Sequence, residues 1–174
     1  MVKFIILLLC LLFLFCNCTT VKHKSLTYKN TYSLREGLIR TDGYFYESNQ
    51  RDLIEIYVFF PDGYLYQGFF RSHAEIQSRL QKKNVDQDKI GWGVYRIDGD
   101  TIKLQYFTPL GNELQAVWEV IEEQGRVVNS EKIQLYKSQV RNSVYIFSRT
   151  YSFVRQDTMP SSKNWLMNLD NKKP

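Results

Sequence analysis

The strongest constraint on the fold is the alternation, from Gly37 onward, of short aliphatic and aromatic runs with turn-forming residues. Pro61-Asp62-Gly63 separates Leu53–Phe60 from Tyr64–Phe70, and Asp98-Gly99-Asp100 separates a later pair of runs. Proline presets one turn torsion and glycine supplies a positive φ, so both segments predict β-hairpins. Aromatic residues, which strands favour, make up 15% of the chain. The pattern predicts a mainly β domain with mostly short connections.

Eight strands and two short helices are expected. The strands are predicted at Ile39–Glu47, Leu53–Phe60, Tyr64–Phe70, Trp92–Ile97, Thr101–Phe107, Glu113–Glu122, Val127–Lys137 and Val144–Arg155, with Gly125 separating the sixth from the seventh. Ser72 and Glu75 match a capping box, so a helix should begin there and end near Lys83. A second helix is expected over Ser162–Leu169, covering an open barrel end or a sheet face.

Apolar and polar residues alternate within these runs, as Ile102, Leu104 and Tyr106 do with their neighbours. One buried face and one mostly wet face indicate an antiparallel sheet with a single interior. Eight strands in meander order can close into a barrel, which removes exposed edges. We therefore predict a single antiparallel up-and-down β-barrel, with one short helix between the third and fourth strands and another near the C-terminus. Side chains fill such an interior, or it holds one small ligand.

The N-terminal segment has the layout of an export signal. Lys3 precedes the apolar run Phe4–Phe15, and Cys16-Asn17-Cys18 follows. A helix of this length rises about 18 Å, whereas a bilayer core is about 30 Å thick. A permanent membrane span is therefore disfavoured. The exit also lacks the small-x-small site of ordinary secretory cleavage.

Instead, Leu14-Phe15-Cys16-Asn17-Cys18 resembles the lipobox of bacterial lipoproteins, whose invariant cysteine follows a small residue, is diacylated and becomes residue one after cleavage. Cys18 fits this role better than Cys16, which follows the bulky Phe15. The resemblance divides the chain into a signal peptide over 1–17, a lipidated flexible tether over 18–36 and a barrel domain over 37–174. Ordinary secretion, an uncleaved anchor and a cytoplasmic protein are the alternatives.

The cysteines agree with this interpretation. All three, Cys10, Cys16 and Cys18, lie in the N-terminal segment, so a chain cleaved before Cys18 keeps one cysteine and that cysteine carries the lipid. No disulfide can then form within the domain. Two acyl chains give stable attachment to a membrane. We expect the bacterial cell envelope, on the periplasmic face of the outer membrane, because Thr19 stands where an aspartate signals inner-membrane retention in well-studied Gram-negative bacteria.

Charge and motifs argue against several functions. The net charge of +5 comes from scattered residues, so nucleic acid is not expected as a partner. The two histidines, His23 and His73, match neither a zinc site nor an acid–base pair. No nucleophile elbow, phosphate-binding loop or His-Glu-x-x-His motif occurs. We predict a protein that is not an enzyme and that binds no metal or cofactor.

Four segments carry a second resemblance: Gly43-Tyr44-Phe45-Tyr46, Phe60-Pro61-Asp62-Gly63, Gly91–Ile102 and Pro160–Trp165. Over about Gly37–Trp165 the chain resembles the lipocalin-like, calycin-type domains of small bacterial lipoproteins. This resemblance implies that the barrel mouth binds small apolar or amphipathic ligands.

Candidate ligand-binding residues lie in the last predicted strand. Tyr145, Phe147, Arg149 and Tyr151 share one face. If that face points inward, the buried guanidinium needs a partner, because an isolated buried charge is costly. One candidate partner is the carboxylate of a fatty-acid-like ligand flanked by tyrosines. Arg96 raises the same question more weakly.

An internal partner for Arg149 is the other hypothesis. Glu55 or Glu119 could pair with it, or the side chain could emerge near the rim with its stem on aromatic rings. Two functions follow from these alternatives. Either the barrel binds a small lipophilic ligand, or it is solid and works through its outer surface as an inhibitor, assembly factor or scaffold.

Overall fold

The structure is a computed structural model that describes residues 26–28, 38–48, 52–81, 90–110 and 117–170. The strands are β1 (Gly43–Ser48), β2 (Ile54–Phe59), β3 (Tyr64–Phe70), β4 (Trp92–Asp98), β5 (Thr101–Leu110), β6 (Val117–Asn129), β7 (Lys132–Val140) and β8 (Ser143–Arg155). The helices are α1 (His73–Gln81), between β3 and β4, and α2 (Trp165–Asp170). The predicted signal peptide and the predicted lipidation site Cys18 lie outside the described residues.

Each strand pairs antiparallel with the next, and β1 pairs with β8 to close the barrel. The predicted eight-stranded up-and-down barrel with two short helices is therefore confirmed. Because the strands alternate in direction, the β1–β2, β3–β4, β5–β6 and β7–β8 connections share one end, called the upper end here. The chain enters β1 and leaves β8 at the opposite, lower end.

Two predicted hairpin turns and one predicted helix cap form as expected. Gly63 and Gly99 have φ of 85° and 63°, a region that residues with a Cβ rarely adopt, and both lie in hairpin turns. At α1, the Ser72 hydroxyl accepts a hydrogen bond from the Glu75 amide at 3.2 Å. The Glu75 carboxylate in turn accepts one from the Arg71 amide at 2.7 Å, so the capping box closes one residue further back than its usual form.

The predicted break at Gly125 is wrong, because β6 continues through it to Asn129. A Cβ at Gly125 would come 2.2 Å from the Gln134 carbonyl oxygen, at a register shift between β6 and β7. Glycine is needed there for close approach of the neighbouring backbone. The turn comes later, where the Asn129 side chain accepts a hydrogen bond from the Glu131 amide at 2.9 Å.

The barrel has two hydrophobic clusters, so the prediction of a single buried face is wrong for β2 to β5. The inner cluster fills the barrel, and its buried members are Ile39, Phe45, Tyr57, Phe59, Leu65, Tyr95, Ile97, Ile102, Leu104, Tyr106, Ile133, Leu135 and Tyr151. The outer cluster covers the outside of these strands, and its buried members include Ile56, Val58, Tyr66, Trp92, Val94 and Phe107. Ile76 and Leu80 of α1 and Leu166 of α2 complete this outer cluster.

Candidate functional site

A polar network lies inside the barrel around Glu55 of β2, whose side chain is only 3% exposed. Its Oε1 accepts hydrogen bonds from the Tyr57 hydroxyl and the Gln67 amide, each at 3.1 Å. Its Oε2 accepts from the Tyr151 hydroxyl at 2.9 Å and from Arg149 Nη1 at 3.0 Å. Three donors, from Gln67, Arg149 and Tyr151, therefore offset the loss of hydration of this carboxylate, and the single proton of the Tyr57 hydroxyl is shared between Glu55 and Glu123.

The network crosses the barrel through Tyr57. Its hydroxyl lies 2.6 Å from Glu123 Oε2 on β6, and its ring centroid lies 6.2 Å from that of Tyr106 on β5. Neither strand is a neighbour of β2 in the sheet. Tyr57 therefore reaches across the interior and joins both walls.

Glu123 is the second buried carboxylate of this network. Burial raises its pKa to about 7, the Tyr57 hydrogen bond opposes that rise, and the nearby Glu55 charge adds to it. Burial also holds the pKa of the Tyr57 hydroxyl well above its usual value, so the phenol remains a donor. The centre of the barrel thus holds a carboxyl group that can change its protonation near neutral pH.

Aromatic rings pack below and beside this network. Edge-to-face contacts join Phe45 to Phe59, Phe59 to Tyr95 and Tyr57 to Tyr151, with centroids 4.9 to 5.5 Å apart. Such pairs stabilise beyond the area that they bury. Ile39, which is buried in the inner cluster, lies at the lower end. The side chains of the inner cluster and of the Glu55 network therefore lie inside the barrel.

Arg149 and Tyr151, two of the predicted ligand-binding residues, both belong to the Glu55 network. Arg149 already has an internal carboxylate partner, and that partner is Glu55, one of the two candidates predicted from the sequence. Its side chain is nevertheless 43% exposed and lies over the Phe147 ring, 5.1 Å from the centroid. Tyr145 lies earlier in β8, nearer the upper end, and is exposed. Glu119, the other named carboxylate, pairs with Arg141 at 2.6 Å instead.

Arg96 does not join this group, because it lies on the outer face of β4. Its guanidinium pairs with Asp98 at 2.6 Å and lies 5.5 Å from the centre of the Tyr28 ring. The barrel wall therefore separates Arg96 from Arg149, and the structure does not bring the two arginines together. Arg96 shares its face with Trp92 and Val94, and the structure places both of those residues in the outer cluster.

Part of the predicted tether packs on this outer face. The side-chain oxygen of Gln105 accepts hydrogen bonds from the Thr27 and Tyr28 amides at 2.7 and 3.3 Å. Gln105 Nε2 donates to Glu122 at 2.7 Å, and Leu26 packs against the outer cluster. No sequence signal marks Gln105 as a docking residue; its alternation predicted a wet position, but it is fully buried.

A surface groove of about 400 Å³ lies beside the upper part of β3. Its lining residues are Tyr66, Gln67, Gly68, Phe69, Phe70, Arg79, Ile90 and Thr108. Within the described ranges, no group of three or more potential ligating side chains is placed to hold a metal ion. No helix in that part of the chain is long and apolar enough to cross a membrane.

Comparison with protein-family models, with curated proteins and with solved structures gives no match for this chain. The indications of its function therefore lie in its own residues and their geometry.

Proposed function

We propose that the protein is a lipid-anchored lipoprotein of the bacterial cell envelope whose lipocalin-like barrel is solid and acts through its outer surface. In this proposal Cys18 carries the acyl chains, and the barrel stands on the periplasmic side of the outer membrane. The role is that of a binding or structural factor, without catalysis. The anchor is supported by the lipobox-like segment and by the confinement of every cysteine to residues 10–18.

The observation that carries the solid-barrel part of the proposal is the position of Tyr57. Its side chain crosses from β2 to Glu123 on β6, through the volume that a ligand in the barrel would occupy. A ligand would have to displace this hydrogen bond and the aromatic contacts around it. Its carboxylate would also have to compete with Glu55 for Arg149.

Three measurements test the two parts of the proposal. The intact mass of protein extracted from membranes, compared between wild type and Cys18→Ala, tests the anchor. We expect two or three acyl chains on wild type and none on the variant; equal masses would contradict the anchor. For the barrel, we expect a fluorescent fatty acid to show no saturable binding and no thermal shift. Crosslinking in intact cells should then recover a reproducible protein partner.

A second candidate function is binding of an amphipathic ligand at the barrel mouth. It is favoured by the partial exposure of Arg149, whose guanidinium is accessible from the upper end beside Phe147. Saturable fatty-acid binding that is lost in Arg149→Gln but kept in Arg141→Gln would support this candidate over the solid barrel. Arg141 is a suitable control because it also lies toward the upper end and pairs with a carboxylate.

A further inference from the structure

Exposed apolar side chains are concentrated at one end of the barrel. Five of the six large ones among the described residues lie at the upper end, and they are Phe69, Ile90, Val144, Tyr145 and Ile146, called the upper rim here. The sixth, Val128, lies near the lower end. Single exposed apolar residues are ordinary on protein surfaces, but a concentration of them indicates a binding surface.

The β7–β8 hairpin places part of this rim above the barrel. β8 has 13 residues but β1 has only 6, and their pairing begins at Ser152. Between Ser143 and Ile146, β8 pairs with β7 alone among the described strands. Successive side chains of a strand point to opposite faces. Exposure of three consecutive residues, with Ile146 at 77%, therefore means that both faces of the hairpin are accessible.

The docked part of the tether runs along the barrel toward the same end. After Tyr28 the chain continues to Arg40. The Arg40 amide donates a hydrogen bond to the Ser130 carbonyl in the β6–β7 turn, at the lower end. In the other direction, Leu26 packs on the outer cluster. The members of that cluster on β5 and β6, Phe107, Trp118 and Val120, all lie above Gln105. On going from Tyr28 to Leu26, the described segment therefore runs toward the upper end.

Cys18 is within reach of the upper rim. Eight residues, counted from Cys18 to Leu26, span at most about 28 Å. The distance along β5 from Gln105 to Leu110, at the upper end, is about 17 Å at about 3.4 Å per residue. A Cys18 acylated and embedded in lipid is therefore compatible with this end of the barrel facing the lipid surface.

We infer that the upper rim is a membrane-contacting surface and that its β7–β8 hairpin inserts into the lipid headgroup region. This inference rests on the proposed lipid anchor and adds the orientation of the barrel. The chemistry of the hairpin fits an interface, since Ile146 and Val144 are aliphatic and Tyr145 combines an apolar ring with a polar hydroxyl. Arg141, 60% exposed at the hairpin turn, pairs with Glu119 and would exchange that partner for a phosphate group on meeting the headgroups.

The test compares one position at each end of the barrel. Ile146→Cys and Val128→Cys each add one thiol, and an acylated Cys18 has no free thiol to compete for the label. The full chain, purified from membranes, is labelled with an environment-sensitive fluorophore and reconstituted into phosphatidylethanolamine–phosphatidylglycerol vesicles. Circular dichroism checks that both variants fold, as expected for exposed positions.

We expect the label at position 146 to shift its emission to shorter wavelength and to be quenched by brominated acyl chains. The label at position 128 should show neither effect. Equal signals at the two positions, or quenching at 128 alone, would overturn the inference.

The intact mass of the same samples reports acylation of Cys18 independently. Acylated protein without quenching at 146 overturns the membrane contact and leaves the anchor intact. Protein without acyl chains overturns the anchor. In that case Cys10, Cys16 and Cys18 are replaced by serine before labelling, and quenching at position 146 after vesicles are added then decides whether the rim binds lipid by itself.

Discussion

The Tyr57 hydroxyl donates a 2.6 Å hydrogen bond to Glu123 and lies 3.1 Å from Glu55, so one phenol stands between two buried carboxylates. A phenol has one proton to donate, and it cannot satisfy both acceptors equally. Glu55 has three other donors, whereas Glu123 has the hydroxyls of Tyr57 and Tyr106. Burial still raises the pKa of Glu123, so these donors compensate its charge only in part.

The first prediction concerns pH. Burial raises the pKa of Glu123 from 4.5 to about 7, so the native state holds this proton more tightly than the unfolded chain does. The protein should therefore lose stability as the pH rises from about 4.5 to about 7. The contribution of Glu123 over this window is on the order of 3 kcal/mol. Denaturant unfolding at several pH values measures it.

Glu123→Gln is the matched variant for this experiment, because the amide keeps the shape of the side chain and cannot ionise. We expect the variant to show a flatter dependence of unfolding free energy on pH, and to equal or exceed wild type at pH 7.5. An unchanged slope would assign the pH dependence to other groups.

The second prediction is that Tyr57→Phe destabilises the barrel by about 1–3 kcal/mol, because it removes the 2.6 Å hydrogen bond that the buried Glu123 carboxylate accepts. Loss of a hydrogen bond to the charged form should also raise the pKa of Glu123 further. Tyr136→Phe is the control, since its hydroxyl accepts a bond from Gln124 on the outer face at 3.2 Å. Urea unfolding should separate the two variants, and equal costs would contradict the special position of Tyr57.

The third prediction compares two ion pairs. Arg149 pairs with the nearly buried Glu55, whereas Arg141 pairs with Glu119, which is more exposed. Arg149→Gln should cost about 1–3 kcal/mol, less than for a fully buried pair because the guanidinium is partly hydrated. Arg141→Gln should cost about 0–1 kcal/mol.

Adding Glu55→Gln to Arg149→Gln tests the cause of this loss. If the loss comes from an uncompensated carboxylate, the double variant should recover part of the stability, as a double-mutant cycle in denaturant would measure. Additive losses would mean that the two side chains stabilise the barrel independently.

The sequence predicted the strands and their closure well, because alternation, aromatic content and glycine turns are local properties. Gly125 was misinterpreted because glycine also serves close backbone approach, and only the partner strand distinguishes this from a turn. The outer cluster was missed because which helix covers which strand depends on tertiary packing. The partner of Arg149 was among the named alternatives, but alternation alone could not choose between Glu55 and a ligand.

The fourth prediction tests whether the outer cluster is part of the core. Leu166 of α2 is fully buried on the outside of the barrel, and the neighbouring Trp165 ring lies 5.5 Å from that of Phe107. Leu166→Ala should lower the free energy of unfolding by about 2–5 kcal/mol, because it leaves a cavity. A loss of this size is the one expected for a residue inside the barrel. Val128→Ala, at an exposed position, should change urea stability little. A small cost for Leu166→Ala would mean that α2 packs only peripherally.

The last prediction concerns the docking of the tether on Gln105. Replacing Gln105 by Met keeps most of the side-chain volume but removes the oxygen that accepts from the Thr27 and Tyr28 amides. Two hydrogen bonds of about 1 kcal/mol each correspond to a rise in amide exchange on the order of tenfold or more. Hydrogen exchange followed by mass spectrometry should show this rise over residues 26–28, while β4 to β6 keep their protection. Gln124→Met, on the next strand, removes a comparable outer-face hydrogen bond and should leave the tether protected. Unchanged exchange over residues 26–28 in Gln105→Met would mean that Leu26 and the Tyr28 ring hold the segment without Gln105.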